Sequence, residues 1–416
     1  MIWNTINCSQ YTPLPSNEGH AEMTQKSEAI IDLTHNYEEL REPVRALCAK
    51  YPGEYWRAKD REREYPVEFV QELTESGFLA AMIPEEYGGS GLGVGAGAAI
   101  LEEIHSTGCN GGASHAQMYT MGTVLKHGSA EQKQKYLPRV ASGELRLQAF
   151  GVTEPGTGSD TTQLRTMAEK KGNDAYVVNG QKVWISRALQ SDLLLLLART
   201  TPKEECKKRS DGLSVFLVEL DKAVGNGLEI RPIRTMVNHS TNELFFDNLE
   251  IPASSLIGEE GKGFKYILDG MNAERILISG ECLGDSRWFI EKASTYASER
   301  EVFDRPIGAN QGIQFPIAKA YANAQAADLM TRKAAALFDA GVPCGAEANM
   351  AKLLASEASW EAADVCMQTF GGFAYAEEYD IERKFRETRL YRTAPISTNL
   401  ILAFLGQYVL GMPRSY

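Results

Sequence analysis

Residues 148–160 read QAFGVTEPGTGSD, an apolar strand-like run that breaks at a turn built from Pro155, Gly156, Gly158, Ser159 and Asp160. Gly and Pro bend the backbone, while Ser and Asp satisfy the amides a tight turn exposes. The same cluster suits two jobs. It is either an ordinary turn or a bare ledge on which something flat or anionic rests, and the flanking chain decides between them.

Downstream of the ledge the pattern is β. Ala175–Val178 and Lys182–Ile185 flank Asn179-Gly180, a dipeptide that favours a hairpin turn, and further strands are expected at Leu193–Ala198, Leu213–Leu220, Leu228–Ile233 and Glu243–Ile251. Together these predict a compact β-domain, a barrel or sandwich. Upstream, Ile30–Val140 reads as helical, with Pro66 in the first turn of a helix ending near Gly77 and Ser129 with Gln132 forming a capping box. The glycine-rich GGSGLGVGAG at 88–97 follows no strand and lacks the dinucleotide spacing, so it is not read as a phosphate loop. From Gly261 onward the period is helical again, across Phe264–Arg300, Ile313–Ala340, Ala346–Phe370 and Ser397–Leu410. The predicted class is therefore α+β in the order α–β–α. Residues 1–28 are expected to be a flexible N-terminus, 29–145 a helical domain, 146–257 the β-domain and 258–416 a C-terminal four-helix bundle.

Composition removes several functions. The apolar and charged fractions, 43% and 24%, are those of a globular chain, and a net charge of −12 opposes a nucleic-acid or anionic-membrane partner. Leu193–Ala198, the longest aliphatic run, is too short to span a bilayer. Residues 1–28 show neither a secretory nor a transit pattern, and Met23 is a possible alternative start. Seven cysteines, scattered from Cys8 to Cys366 without a CxxC pair, fit free thiols in a reducing compartment, and a cytoplasmic location is expected. His105, His115, His127 and His239 follow no metal-ligand spacing and read as surface or satisfied core residues, so no metal is expected.

Seven segments carry a resemblance in order and over nearly the whole chain: FGVTEPGTGSD (150–160), NGQKVWIS (179–186), GEEGKGF (258–264), ERILISGECLG (274–284), EREVFDRPIGANQGIQF (299–315), MAKLLASEA (350–358) and QTFGGFAY (368–375). By them the chain resembles the acyl-CoA dehydrogenases. The resemblance implies FAD held between the β-domain and the bundle and across a subunit boundary. Phe150, Val152, Thr153, Trp184 and Ser186 would face the flavin of their own subunit; the other reading of Trp184 is a core aromatic. Arg300, Phe303, Gln311, Gln368, Gly371 and Gly372 match positions that complete a neighbour's site, with Arg300 at the pyrophosphate, where a guanidinium offers a bidentate contact. A plain helix-ending pair is the other reading of the two glycines. Ser397 and Asn399 match positions near the adenosine. Ser159 would meet the pantetheine of the CoA ester. Asp304 departs from the family, which usually has Gly there.

The chemistry requires a base for the α-proton of the thioester. The family's usual glutamate position falls at Ala394-Pro395-Ile396-Ser397 here, and proline can neither take a proton nor donate an N–H to the thioester carbonyl. The isovaleryl- and long-chain-type members carry the glutamate elsewhere, and Glu274 matches that position. Its other reading is a solvated acid in the first turn of a helix. Glu281, two turns on, is the reserve candidate, and Arg275, about 100° round the helix from Glu274, is a candidate substrate contact. The implied reaction is α,β-dehydrogenation of an acyl-CoA in fatty or branched-chain acyl breakdown, with electrons passing to an electron-transfer flavoprotein from a homotetramer. An acyl-CoA oxidase, a flavin monooxygenase-like relative and a non-catalytic acyl-CoA- or flavin-binding scaffold are the alternatives.

Overall fold

The computed structural model describes Leu33 and residues 36–415; the expected flexible terminus at 1–28, Cys8, Met23 and the helical start at Ile30 lie outside them. Six helices come first: α1 Glu38–Cys48, α2 Gly53–Glu62, α3 Val67–Glu75, α4 Val94–Ser106, α5 Gly112–His127 and α6 Ala130–Ala141. Pro66 is the N-cap of α3, and the capping box at Ser129 and Gln132 forms at α6 in both directions. The glycine-rich stretch before α4 holds no phosphate-loop strand. Its exposed helix amides at Val94 and Gly95 donate to the Asp339 carboxylate at 2.7 and 3.0 Å, which fills the place an anion would take.

The β-domain consists of β1 Ala149–Gly151, β2 Met167–Lys171, β3 Ala175–Ser186, β4 Leu193–Arg199, β5 Leu213–Glu219, β6 Leu228–Pro232, β7 Thr241–Pro252 and β8 Leu256–Ile257, with a single helical turn α7 Leu220–Ala223 after β5. They form one eight-stranded sheet in the order β6-β7-β3-β2-β4-β5-β8, with β1 parallel to β4. β4 explains why its sequence is apolar without alternation. Leu193, Leu195 and Leu197 face α5, α6 and the start of the bundle, while Leu194, Leu196 and Ala198 face Tyr176, Phe216 and Phe246 inside the β-domain.

The expected hairpin at Asn179-Gly180 does not form. β3 runs straight through it and pairs with β7 along its whole length; the extra residue sits on β7, where Asn248 adopts φ 53° and its N–H donates to the Asn179 side chain at 2.8 Å. The turn signal marks a bulge. Gly180 is required there because a Cβ would lie 2.5 Å from the Thr166 hydroxyl.

The C-terminal region is built on α8 Gly263–Glu299, α9 Gln311–Asp339 and α10 Gly345–Phe370, followed by α11 Ile381–Arg389 and α12 Thr398–Phe404. Between α8 and α9 a short ribbon, β9 Glu301–Val302 and β10 Arg305–Pro306, turns at Phe303 and Asp304. Asp304 has φ 61°, a left-handed value that Asp tolerates better than most residues, which accounts for an aspartate where glycine was expected. α8 crosses α4 at backbone contact: a Cβ on Gly280 would lie 2.4 Å from the Ala98 carbonyl oxygen. That close crossing fixes the register of α8 and everything it carries. Among the described residues no helix is long and apolar enough to cross a membrane.

Candidate active site

The ledge at 148–160 is held from beneath by a buried ion pair. Lys182 Nζ donates to Glu154 Oε1 and to the Val152 carbonyl, each at 2.9 Å, while Glu154 Oε1 also accepts the Thr166 N–H and Oε2 the Arg165 N–H. Burial pulls the Lys182 ammonium down to about 8, against the pull of Glu154, and the bonded Glu154 carboxylate lies below its ordinary range despite its own burial. The Val183 N–H donates to the Thr153 carbonyl at 2.9 Å, so Val152 and Thr153 are tied to β3 at two points. Past this anchor Gly156 and Gly158 stand bare, with nothing within 4 Å of where a Cβ would be, and Ser159 is exposed.

β3 then delivers Trp184. Its pairing with β7 gains one residue between Lys182 and Ile185, and Trp184 takes φ 62° at this bulge. A bulge re-aims side chains, and here it turns the indole outward, 59% exposed. The core-aromatic reading of Trp184 is thereby excluded. Phe150 and Val152 are half-buried on β1 and the ledge, and Ser186 is half-buried at the end of β3.

Glu274 does not sit in the first turn of a helix, because α8 begins at Gly263. It lies three turns in, 7% exposed, and burial raises its carboxyl to about 7 even though Arg275 and Lys352 pull the other way. Arg275 is buried beside it, its Nη1 donating to Asn272 Oδ1 at 2.9 Å and its Nε without a hydrogen bond. Lys352 of α10, which sequence reasoning left unassigned, is fully buried and donates to the Ile396 carbonyl at 2.7 Å. It therefore ties the Pro395 loop to the bundle, and burial lowers its ammonium to about 8.

Glu281 is as buried as the core, and its neighbours divide the histidines into two kinds. His105 is satisfied: Nδ1 pairs with Asp285 at 2.9 Å and Nε2 accepts the Gly111 N–H at 2.9 Å. His127 stacks on Tyr266 at 4.2 Å. His115 departs from the expectation of a surface or satisfied role, while His239 is half-buried with Arg187 as its partner. His115 Nδ1 approaches Glu281 Oε1 at 3.5 Å without a hydrogen bond, and its Nε2 has no partner. The His239 ring faces the Arg187 guanidinium at 3.4 and 3.5 Å. Arg187 follows Ser186 directly and is the other residue that sequence reasoning missed; only its position after the NGQKVWIS motif could have drawn attention to it.

Arg300, Phe303, Gln311, Gln368, Gly371 and Gly372 lie at the far end of the bundle, whereas Ser397 and Asn399 follow Ile396, which Lys352 holds near Glu274. Arg300 caps α8 and lies over the Phe373 ring at 5.9 Å; Gln368, Gly371 and Gly372 are exposed at the end of α10. Gly371 has φ 60° and ψ −130°, and nothing lies within 4 Å of a Cβ on either glycine, so the pair leaves an open backbone surface. Phe303 is 93% exposed at the ribbon tip, and Gln311 begins α9 in the open. Ser397 caps α12, accepting the Leu400 N–H at 3.4 Å, with Asn399 exposed in its first turn. Arg300 lies 26 positions beyond Glu274 on one helix, about 39 Å at the helical rise. One chain thus presents two half-sites at opposite ends of α8.

Three domain families match in the order the fold shows: the acyl-CoA dehydrogenase N-terminal domain over residues 34–144, the middle domain over 149–249 and the C-terminal domain over 261–395. Acyl-CoA dehydrogenase FadE12 of Mycobacterium bovis is 36% identical over 91% of this chain and 96% of its own. Cyclohex-1-ene-1-carbonyl-CoA dehydrogenase of Syntrophus aciditrophicus is 34% identical over 93% of each. Among solved structures, the glutaryl-coenzyme A dehydrogenase glutaryl-CoA complex superposes with a TM-score of 0.83 at 32% identity, covering 91% of this chain and 95% of that one. Taken with the α–β–α architecture and the buried acid on α8, these matches establish that the chain belongs to the acyl-CoA dehydrogenase family of oxidoreductases.

Proposed function

We propose that the protein is an FAD-dependent acyl-CoA dehydrogenase in which Glu274 is the base. The observation that carries the reading is a carboxyl buried in α8, with no hydrogen-bonded cation, in a chain whose Pro395 cannot serve as base. A carboxyl poised near neutrality takes up a proton during turnover and releases it afterwards.

The residues present fit FAD. The ledge offers bare backbone at Gly156 and Gly158, the β3 bulge presents Trp184 outward, and Phe150 and Val152 supply apolar walls. At the other half-site Arg300 and the open surface over Gly371 and Gly372 suit a pyrophosphate and close backbone approach. Because about 39 Å of α8 separates Arg300 from Glu274, the flavin ring and the pyrophosphate of one FAD are met by two different subunits. Gln311, Gln368 and Phe303 belong to the pyrophosphate half, and Ser397 and Asn399 to the adenosine side. A homotetramer follows from the family resemblance.

In the proposed reaction the Glu274 carboxylate removes the α-proton of the acyl thioester, and the Cα–Cβ double bond forms as the β-hydride departs. Bound FAD supplies the acceptor for that hydride. Thr153 and Ser186 orient the ring, Ser159 holds the pantetheine, and Arg275 lies beside the base as a substrate contact. The Lys182–Glu154 pair keeps the ledge rigid, and Lys352 holds the Pro395 loop against the bundle. Electrons then pass to an electron-transfer flavoprotein.

Anaerobic addition of short, branched, aromatic and long acyl-CoA esters tests this reading. At least one should bleach the flavin of the wild type, and Glu274→Gln should retain FAD yet remain yellow. Bleaching of the variant at the wild-type rate overturns the role of Glu274. Rapid reoxidation of the reduced wild type by air selects the oxidase reading, and a colourless protein that cannot be reconstituted with FAD selects the scaffold.

A further inference from the structure

Beyond Glu274 along α8 lie buried polar groups that an aliphatic chain would leave unsatisfied. Glu281 lies two turns further along α8, about 10 Å beyond Glu274 on the same face. It is 2% exposed, and its Oε1 has no hydrogen bond. His105 cannot supply one although its Nε2 is 3.7 Å away, because that nitrogen accepts from Gly111 while Nδ1 serves Asp285. His115 presents a buried Nε2 without a partner. Near them Arg187 is 5% exposed; its guanidinium hydrogen-bonds only the His239 ring, and no carboxylate lies within ion-pairing distance among the described residues.

Packed rings link these groups to the reacting centre. The Tyr119 ring packs against His115 at 5.1 Å on one side and against Phe150, the candidate flavin wall, at 5.9 Å on the other. Arg187 adjoins Ser186 in the chain, and Gly112 makes room for the guanidinium, since a Cβ there would lie 2.5 Å from Nη2. Burial holds His115 and His239 below the ordinary imidazole range, and the Arg187 charge pushes His239 further down, so both rings are neutral acceptors or donors.

A buried polar group without a partner costs free energy until a ligand satisfies it. We propose that the acyl group of the substrate carries a distal hydroxyl, which donates to Glu281 and accepts from Arg187 and from His115 Nε2. This rests on the dehydrogenase reading above and names the substrate class for the same site. A plain alkyl end leaves Glu281 and His115 stranded, and a carboxylate end sets a second carboxylate against Glu281.

The test uses the trans-2-enoyl-CoA forms, which bind without turnover, titrated calorimetrically into the FAD-loaded enzyme: plain octenoyl, its ω-hydroxy derivative and its ω-carboxy derivative. The hydroxylated ligand should bind about tenfold or more tighter than either of the others. Glu281→Leu and Arg187→Met should each bring the hydroxyl-to-plain ratio to about one or below. Equal or tighter binding of the plain chain, tightest binding of the carboxylated chain, or no binding by any of the three overturns the proposal. Flavin bleaching by the saturated plain ester with no hydroxyl preference would refute this proposal alone. A clear hydroxyl preference in binding, with no bleaching by any saturated ester, would refute the dehydrogenase reading alone.

Discussion

Burying Glu274 has a thermodynamic signature separate from catalysis. Its carboxyl titrates near 7 in the folded chain against an ordinary value of 4.5, so the folded state binds this proton more tightly than the unfolded state does. A raised carboxyl costs nothing where both states are protonated, below about 4.5, and its full cost is present where both are ionised, above about 7. Across that window stability falls as pH rises. The shift of about 2.5 pKa units corresponds to about 3 kcal/mol at 1.36 kcal/mol per unit. Glu274→Gln keeps the shape and removes the charge, so at pH 8.5 the holoenzyme variant should be more stable than the wild type by up to about 3 kcal/mol, with the gain shrinking towards zero at pH 5. Thermal or denaturant melting of the two proteins at both pH values measures it. A variant equally or less stable at pH 8.5, or a gain that does not depend on pH, would refute the claim that Glu274 is buried at the expense of its charge. The gain and the loss of flavin bleaching should appear in the same variant, the trade expected when a strained group is kept for function.

Other consequences are equally direct. Lys182→Met strands the Glu154 carboxylate under the ledge and should destabilise the fold by about 3–5 kcal/mol, with weakened FAD retention read from the absorbance of the purified protein; unchanged stability would show that the pair is not buried as described. If each site joins the Glu274 half of one chain to the Arg300 half of another, Glu274→Gln and Arg300→Ala chains, each impaired alone, should regain activity when co-expressed, because one mixed site is then wholly native. No recovery in verified hetero-oligomers would place both halves in a single subunit's site.

The sequence was most legible where one physical requirement acts alone. The helical period of α8, α9 and α10, the capping box at Ser129 and the apolar run of β4 each report a single local cause, and each stands in the fold. Asn179-Gly180 misled because the same preference for unusual dihedrals serves a hairpin turn and a bulge; the partner residue Asn248, nearly seventy positions away, decides between them. α11 was invisible for the opposite reason. Its buried face is charged, with Arg383 on Glu387 at 2.9 Å and Lys384 paired with Asp285, so no apolar period marks it. In the site, motif order supplied Glu274, Trp184 and Arg300, but burial is a property of packing. Nothing local distinguished His115, buried with Nε2 unpartnered, from the satisfied His105.

The central claim, that Glu274 takes the α-proton, is tested most directly by exchange at the α-carbon. The holoenzyme is incubated anaerobically in deuterated water with a bound acyl-CoA analogue that can lose its α-proton but cannot give up a hydride, and deuterium at that carbon is followed by mass spectrometry. Wild type and Glu281→Gln should both incorporate deuterium, and Glu274→Gln should not. Exchange that survives in Glu274→Gln and disappears in Glu281→Gln would contradict the account and move the base two turns along α8.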